Sequence, residues 1–170
     1  MLPLLLLLLF AVSSNGLVYN EELARRLLNL TAGSYGADYE GCMKRAFPAR
    51  DGRYIYSSTL LSCDRTGSAC HSFIVNSNVT KEVIFVFRGT KTKKQLLLEG
   101  WSMQRDGKDF FGMGKVNSYF RRAHNELWPS VHEFLSRPEF KDYKVILTGH
   151  SLGGALASLA AARIVKEEIA

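Results

Sequence analysis

The chain has 170 residues, 46% of them hydrophobic and 22% charged, which is enough for one domain with a sizeable core. Its formal net charge is +6, but it contains no recognisable nucleic-acid-binding module, so we expect no nucleic acid as a partner. Internal repeats and low-complexity blocks are absent from the sequence, which argues against a solenoid or a fibrous protein.

The amino-terminal residues have the pattern of a secretory signal. Residues 2–12 are an apolar run composed mostly of leucine, and small polar residues follow at 13–16. The run is too short to cross a bilayer of about 30 Å as a helix, and its ending suits cleavage. We therefore expect residues 1–16 to be a signal peptide, the protein to be secreted, and no transmembrane segment. The alternative is a buried amino-terminal helix.

Two further features are typical of an extracellular protein. Asn29 and Asn78 each begin an Asn-x-Thr triplet, which is the acceptor sequence for N-glycosylation. Cys63 and Cys70 flank a turn-like stretch between two strand-like runs, so a hairpin disulfide is the simplest pairing. This pairing leaves Cys42 over, and we expect its partner to lie outside this chain.

The predicted elements alternate between helices and strands along the chain. Asn20 can cap a helix over residues 21–30, and residues 33–52 are rich in loop-forming residues. Strands are predicted over 54–61, 71–76 and 82–88, and the last is apolar enough to be buried on both faces. An amphipathic helix over 116–135, a strand over 145–148 and a helix over 152–166 follow. This order predicts a right-handed crossover and a parallel strand pair within a mixed α/β sheet.

Positive charge is concentrated between residues 88 and 122, where nine basic residues accompany three acidic ones. A solvated surface is the simpler interpretation of this excess. The other interpretation is a transient contact with a lipid interface, because anionic lipid attracts clustered Lys and Arg.

The strongest chemical motif is G-x-S-x-G, formed by Gly149, Ser151 and Gly153 between the last predicted strand and the last helix. A serine on a tight strand-to-helix turn needs glycine neighbours, because side chains there would collide with the strand and helix. The turn exposes the Ser151 hydroxyl and puts the Leu152 amide at a helix amino terminus, where it can stabilise an oxyanion.

A second motif, Phe87-Arg88-Gly89-Thr90, follows the buried strand predicted over 82–88. Acyl transfer needs a second hydrogen-bond donor aimed at the oxyanion, and a loop after a neighbouring strand can supply one. Thr90 offers both a backbone N–H and a hydroxyl.

Together the two motifs resemble those of the class 3 lipases, and the resemblance covers residues 54–162. It implies an α/β-hydrolase-like fold, a mixed sheet with flanking helices, that acts on carboxylic esters of lipids without a metal or other cofactor. It further implies that Ser151 is the nucleophile and that Thr90 and Leu152 form the oxyanion hole. The segment from Cys63 to Cys70 is also similar to that of secreted animal members.

The sequence departs from the family pattern after Ser151. The triad order of the family is Ser, Asp and then His, but the 19 residues that follow Ser151 contain neither Asp nor His. We therefore interpret residues 17–170 as the amino-terminal part of the domain, incomplete at its carboxyl end and inactive alone. The alternatives are a non-catalytic lipase-like lipid-binding protein, or an esterase or phospholipase with another ester substrate. A smaller departure is Asn117, where many members have histidine at a position outside the triad.

The four histidines are expected to be structural. His150 belongs to the serine turn and is interpreted as a packed neighbour, while His71, His124 and His132 are interpreted as surface or hydrogen-bonded residues. Residues 90–101 are interpreted as a lid, because an apolar cluster follows a run of lysines there. The alternative is a surface helix whose leucines pack on the core. The cluster comprises Leu96, Leu97, Leu98 and Trp101.

Overall fold

The computed structural model describes residues 18–63, 69–91 and 107–169. The predicted signal peptide and residues 92–101 of the predicted lid lie outside these described residues. Within the described ranges, no helix is both long and apolar enough to cross a membrane.

A four-stranded mixed sheet forms the centre of the fold, and helices cover both of its faces. The strand order is β1-β2-β3-β6, with antiparallel pairs β1/β2 and β2/β3 and a parallel pair β3/β6. The predicted mixed sheet and its parallel pair are therefore confirmed. The strands are β1 (Arg53–Ser62), β2 (Ala69–Ser77), β3 (Glu82–Phe87), β4 (Lys108–Asp109), β5 (Lys115–Val116) and β6 (Lys144–Gly149). The helices are α1 (Glu21–Gly33), α2 (Tyr39–Ala46), α3 (Ser118–Leu135) and α4 (Leu152–Lys166).

Strand β3 is buried on both faces, as its continuous apolar sequence predicts. Successive strand side chains point to opposite faces, so Phe85 and Phe87 join the core beneath α3 and α4. Ile84 and Val86 join the core beneath α1 and α2. The sheet is thus the middle layer of three, and β3 packs against both helical layers.

Helix α1 begins where Asn20 predicts, because the Asn20 side chain accepts a hydrogen bond from the Leu23 amide at 2.9 Å. The prediction of a loop over residues 33–52 is wrong for residues 39–46, which form α2. Asp38 caps this helix by accepting from the Gly41 amide at 2.9 Å. With eight residues, α2 is too short for a clear apolar period. It is stabilised instead by packing against α1 and β1 and by the stacking of Tyr39 on Phe73.

Helix α3 begins two residues later than predicted. Asn117 is its cap and accepts hydrogen bonds from the amides of Tyr119 at 2.8 Å and Phe120 at 3.3 Å. Val116 belongs to the short hairpin β4–β5 instead, which the sequence analysis did not predict. Asn117 therefore has a structural role as the cap of α3.

The predicted disulfide between Cys63 and Cys70 is confirmed. It joins the end of β1 to the start of β2, and both cysteines are buried in the core. Cys42 is a free thiol and accepts a hydrogen bond from the Arg45 guanidinium at 3.0 Å. The expectation that its partner lies outside this chain stays a prediction.

Candidate active site

The two sequence motifs meet at one edge of the sheet. Strands β3 and β6 run parallel, and Phe87 pairs with Gly149 at their carboxyl ends. The Arg88-Gly89-Thr90 loop leaves β3 at the same edge at which Ser151 leaves β6.

Ser151 has a backbone conformation that is rare for a residue with a side chain, with φ 56° and ψ −126°. A non-glycine residue held at positive φ costs about 1–3 kcal/mol, and such strain persists only where the surrounding structure enforces it. Ser151 is also exposed. It occupies the amino-terminal cap of α4, yet its hydroxyl makes no capping hydrogen bond, although serine is a preferred capping residue. The hydroxyl is thus presented to solvent.

Two glycines allow this turn because backbone lies where their side chains would be. A Cβ atom at Gly149 would overlap the backbone of Gly153. A Cβ atom at Gly153 would overlap the carbonyl of Phe87 on the neighbouring strand. These contacts agree with the predicted role of the motif glycines: they let α4 start directly against β3 and β6.

Gly89 brings the second loop against the serine turn. A Cβ atom at Gly89 would overlap the His150 carbonyl oxygen and the Tyr35 hydroxyl. Thr90 follows Gly89 and is half-buried. The Leu152 amide is the first of α4, where helix geometry supplies no intrahelical acceptor, and the Leu152 side chain is buried. The predicted donors therefore belong to two segments that are in contact.

Arg88 fixes the start of the Arg88-Gly89-Thr90 loop to strand β2. Its amide donates to the His71 carbonyl at 2.9 Å, and its buried guanidinium donates to the Ala69 carbonyl at 2.5 Å. Burial lowers the pKa of Arg88, and the nearby Tyr35 phenol opposes that shift. Both partners of Arg88 lie on β2, so the loop that carries Thr90 is fixed to the sheet.

His71 is a hydrogen-bonded structural residue, in agreement with the prediction. Its Nδ1 lies 3.1 Å from the Ser34 carbonyl, which can only accept, so Nδ1 carries a proton. Its Nε2 lies 3.0 Å from the Ser58 hydroxyl, which can then donate to it. Burial lowers the pKa of His71, and this neutral tautomer links β1, β2 and the segment after α1.

Helix α1 and Tyr35, which lies two residues after it, form hydrogen bonds with the end of β6 and with His150. His150 Nδ1 lies 3.1 Å from the Tyr35 hydroxyl, and the two rings meet edge to face. The Thr31 hydroxyl lies 3.2 Å from that of Thr148. The sequence analysis missed Tyr35 and Thr31, because no local pattern marks side chains more than 100 residues away from the serine turn.

The remaining predicted residues lie away from this edge or show other environments. Asn29 and Asn78 are both exposed, although the Asn78 side-chain oxygen accepts hydrogen bonds from Asn76 and Tyr143. His132 is exposed, as expected. His124 differs from the prediction: it is buried, and its Nε2 has no hydrogen-bond partner among the described residues.

The chain is similar in sequence to known lipases. A sequence model of the family described as "Lipase (class 3)" matches residues 84–170. A lipase of Caenorhabditis elegans is 46% identical over 149 residues, which cover 88% of this chain and 42% of that protein. A lipase of Rhizopus niveus is 34% identical over 122 residues, covering 69% of this chain and 29% of that protein.

Solved structures share the fold. The fungal lipase of a lipase–inhibitor complex has a TM-score of 0.67 at 23% identity, covering 88% of this chain and 57% of that one. The mono- and diacylglycerol lipase of Aspergillus oryzae has a TM-score of 0.67 at 21% identity, with coverage of 89% and 60%. The α/β-hydrolase-like fold is therefore established. The chain spans less than half the length of the curated relatives that it matches.

Proposed function

The chain belongs to the class 3 lipase family, and from this premise we propose that it is a secreted carboxylic-ester hydrolase in which Ser151 attacks lipid esters. The Ser151 oxygen adds to the ester carbonyl, the alcohol leaves with a proton, and an acyl-enzyme forms on Ser151. Water then adds to the acyl group and releases the fatty acid, which restores the serine hydroxyl.

The proposal assigns the oxyanion hole to Thr90 and Leu152. Negative charge develops on the ester oxygen during attack, and fixed N–H and O–H donors stabilise it without reorganisation. The contact of Gly89 with the His150 carbonyl supports the assignment, since it brings the loop that carries Thr90 against the turn that carries Leu152.

A serine hydroxyl is a weak nucleophile at neutral pH and needs a positioned base. In the family order, the triad Asp and His follow the nucleophile. We assign them to the part of the relatives' length that this chain does not span. His150 is a poor candidate for the base, because its Nδ1 is within hydrogen-bond distance of Tyr35 and it adjoins Ser151 in sequence.

The observation that carries the proposal is the Ser151 turn. Ser151 is held in a strained backbone conformation. Its exposed hydroxyl accepts no hydrogen bond from a helix amide. A purely structural serine at a helix start would use its hydroxyl as the cap.

The direct test is fluorophosphonate labelling and p-nitrophenyl ester hydrolysis by the full-length protein. We expect labelling at Ser151, and a loss of turnover on the order of 10⁶ in Ser151→Ala, as for other triad nucleophiles. Ser158→Ala is the matched control, because Ser158 is an exposed serine on the same helix whose hydroxyl bonds the Gly154 carbonyl. Full turnover in Ser151→Ala would refute the mechanism. Lipid binding without any labelling would instead support a non-catalytic lipase-like protein.

A further inference from the structure

The start of strand β2 extends beyond the end of strand β3 at the edge of the sheet that carries Ser151. Strand β2 pairs with β3 as far as Ser72 and Phe87, and residues 69–71 lie beyond that last pair. We call these three residues the β2 extension. One of its edges pairs with β1. Its other edge faces the residues that follow Phe87, so the loop that leaves β3 runs beside it.

Arg88 binds this edge of the β2 extension through both its main chain and its side chain. Its amide donates to the His71 carbonyl at 2.9 Å, and its guanidinium donates to the Ala69 carbonyl at 2.5 Å. The side chain is buried, and its Nε has no hydrogen-bond partner among the described residues. A buried cation that loses an acceptor keeps the full cost of its desolvation. The position of Arg88 therefore depends on where these two carbonyls lie.

Both acceptor carbonyls adjoin a cross-linked residue. Cys70 lies between Ala69 and His71, and its disulfide joins it to Cys63. Cys63 directly follows the last residue of β1, so the bridge closes this end of the β1–β2 pair. Strand ends open locally at a low cost in free energy, and a cross-link at the end restricts that opening. The bridge therefore limits how far the two carbonyls can move.

We propose that the Cys63–Cys70 disulfide positions the Arg88-Gly89-Thr90 loop for catalysis. The bridge holds the β2 extension, the extension holds Arg88, and Arg88 fixes the loop whose last residue is the proposed oxyanion donor Thr90. Oxyanion donors are effective only when they are preorganised, and a misplacement of about 1 Å can lower a rate by about 100-fold. The inference deepens the proposed function, on which it rests, by naming a positioning element that does not touch the ester.

The test is a double-mutant cycle on the full-length protein with a soluble p-nitrophenyl ester. Cys63→Ala with Cys70→Ala removes the bridge, and Arg88→Met removes the side-chain hydrogen bond while keeping an apolar stem. Each change should lower kcat by about 10- to 100-fold with KM nearly unchanged, because the donors act on the transition state. Since both changes act through the same contacts, the combined variant should lose no more than Arg88→Met loses.

Val83→Ala is the matched control for a general loss of stability. It shortens a fully buried side chain on the same strand as Phe87, at the opposite end of β3. It should lower the melting temperature and keep the parent's kcat when all variants are assayed well below their melting temperatures. Losses that multiply in the combined variant, or full kcat without the bridge, would overturn the proposal. An equal loss of kcat in Val83→Ala would overturn it too.

Reduction of the folded protein reaches the same state if the bridgeless variant does not fold. Dithiothreitol converts the bridge into two thiols and is itself oxidised to a cyclic disulfide. It should lower the kcat of the parent but leave that of Arg88→Met unchanged, which also controls for disulfides elsewhere in the full-length protein. An equal loss in both proteins would refute the link through Arg88.

Hydrogen exchange of the Arg88 amide provides a readout that does not require hydrolysis. This amide is bonded to the His71 carbonyl, so loss of the bridge should speed its exchange by about tenfold or more. A parent that does not hydrolyse esters at Ser151 would refute the proposed function, while faster exchange would still support the link between the bridge and the loop. Unchanged exchange would refute that link even in an active enzyme.

Discussion

Gly153 and Gly154 are neighbours in the first turn of α4, but only Gly153 is required by close approach. A methyl group at Gly153 would overlap the Phe87 carbonyl, whereas one at Gly154 would come no closer than 3.3 Å to the Gly149 oxygen. Overpacking against rigid backbone costs about 1–3 kcal/mol. In contrast, exchanging a helical glycine for alanine gains up to about 1 kcal/mol of helix propensity.

We therefore expect Gly153→Ala to lower the free energy of unfolding by about 1–3 kcal/mol, and Gly154→Ala to leave it nearly unchanged or raise it. Urea unfolding followed by tryptophan fluorescence measures both. A Gly154→Ala variant that is the less stable of the two would contradict the contact between α4 and β3 described above.

The serine turn could be predicted from the sequence because its causes are local. Gly149, Ser151 and Gly153 lie within five residues, between a short apolar run that forms a strand and a segment of small residues that forms a helix. Tyr35 could not be predicted, because its contact with His150 spans 115 residues. That contact depends on how α1 docks on the sheet, and a single sequence carries no signal of it.

Helix α3 contains a buried histidine whose titration should set part of the pH dependence of stability. The ring of His124 lies against Phe110 and Trp128, and Arg163 on α4 approaches it. Burial, with a smaller contribution from the Arg163 charge, lowers the pKa of His124 to about 4. In the unfolded chain this pKa returns to about 6.5.

The sign follows from the proton count in each state. Above pH 6.5 neither state binds the proton. Between pH 6.5 and 4 the unfolded state binds it and the folded state does not, so acidification destabilises the fold. From pH 7.5 to 4.5 we expect this histidine to remove roughly 2–3 kcal/mol of stability.

Exchanging His124 for phenylalanine should remove that part of the pH dependence, because phenylalanine cannot be protonated. His132→Phe is the matched control on the same helix, since His132 is exposed. The measurement is the free energy of unfolding in urea at both pH values. An unchanged pH slope in His124→Phe would show that His124 does not stay neutral in the folded protein.

The sequence analysis predicted a loop where α2 forms, because α2 is short and mostly polar. Eight residues give two helical turns, and only Met43 and Ala46 of α2 are fully buried. Such a segment resembles a polar loop in sequence. The local signal that was present is the Asp38 cap, followed by Glu40 in the first turn and Lys44 and Arg45 in the last turn, a charge order that favours a helix.

At the scale of the whole molecule, α1 joins the amino-terminal residues to the sheet. Leu30 is fully buried against residues of β2 and β3, whereas Leu28 on the same helix is 64% exposed. We expect Leu30→Ala to cost about 2–5 kcal/mol, because it removes a core side chain and leaves a cavity. Leu28→Ala should change stability by less than about 0.5 kcal/mol.

Urea unfolding of both variants, followed by far-ultraviolet circular dichroism and by tryptophan fluorescence, measures these changes. Because α1 packs on the sheet, both signals should shift together in Leu30→Ala. A shift in the first signal alone would mean that α1 unfolds separately.

The layered fold was predictable because β3 is apolar throughout and the order of elements restricts the topology. The hairpin β4–β5 was not predictable, because each of its strands has two residues and alternation cannot be recognised over that length. Its position is decided by tertiary contacts, such as Phe110 on His124.

The hydrogen bond between Thr31 and Thr148 has a consequence for folding during synthesis on the ribosome. The two residues are 117 positions apart, and ribosomes add about 5–20 residues per second. The apolar side of α1 is thus made roughly 6–25 seconds before β6, the last strand it covers. During that interval Leu30 has no complete sheet to pack on. The nascent chain must keep this surface from other chains, and its serine turn acquires a fixed shape only after α4 has been made.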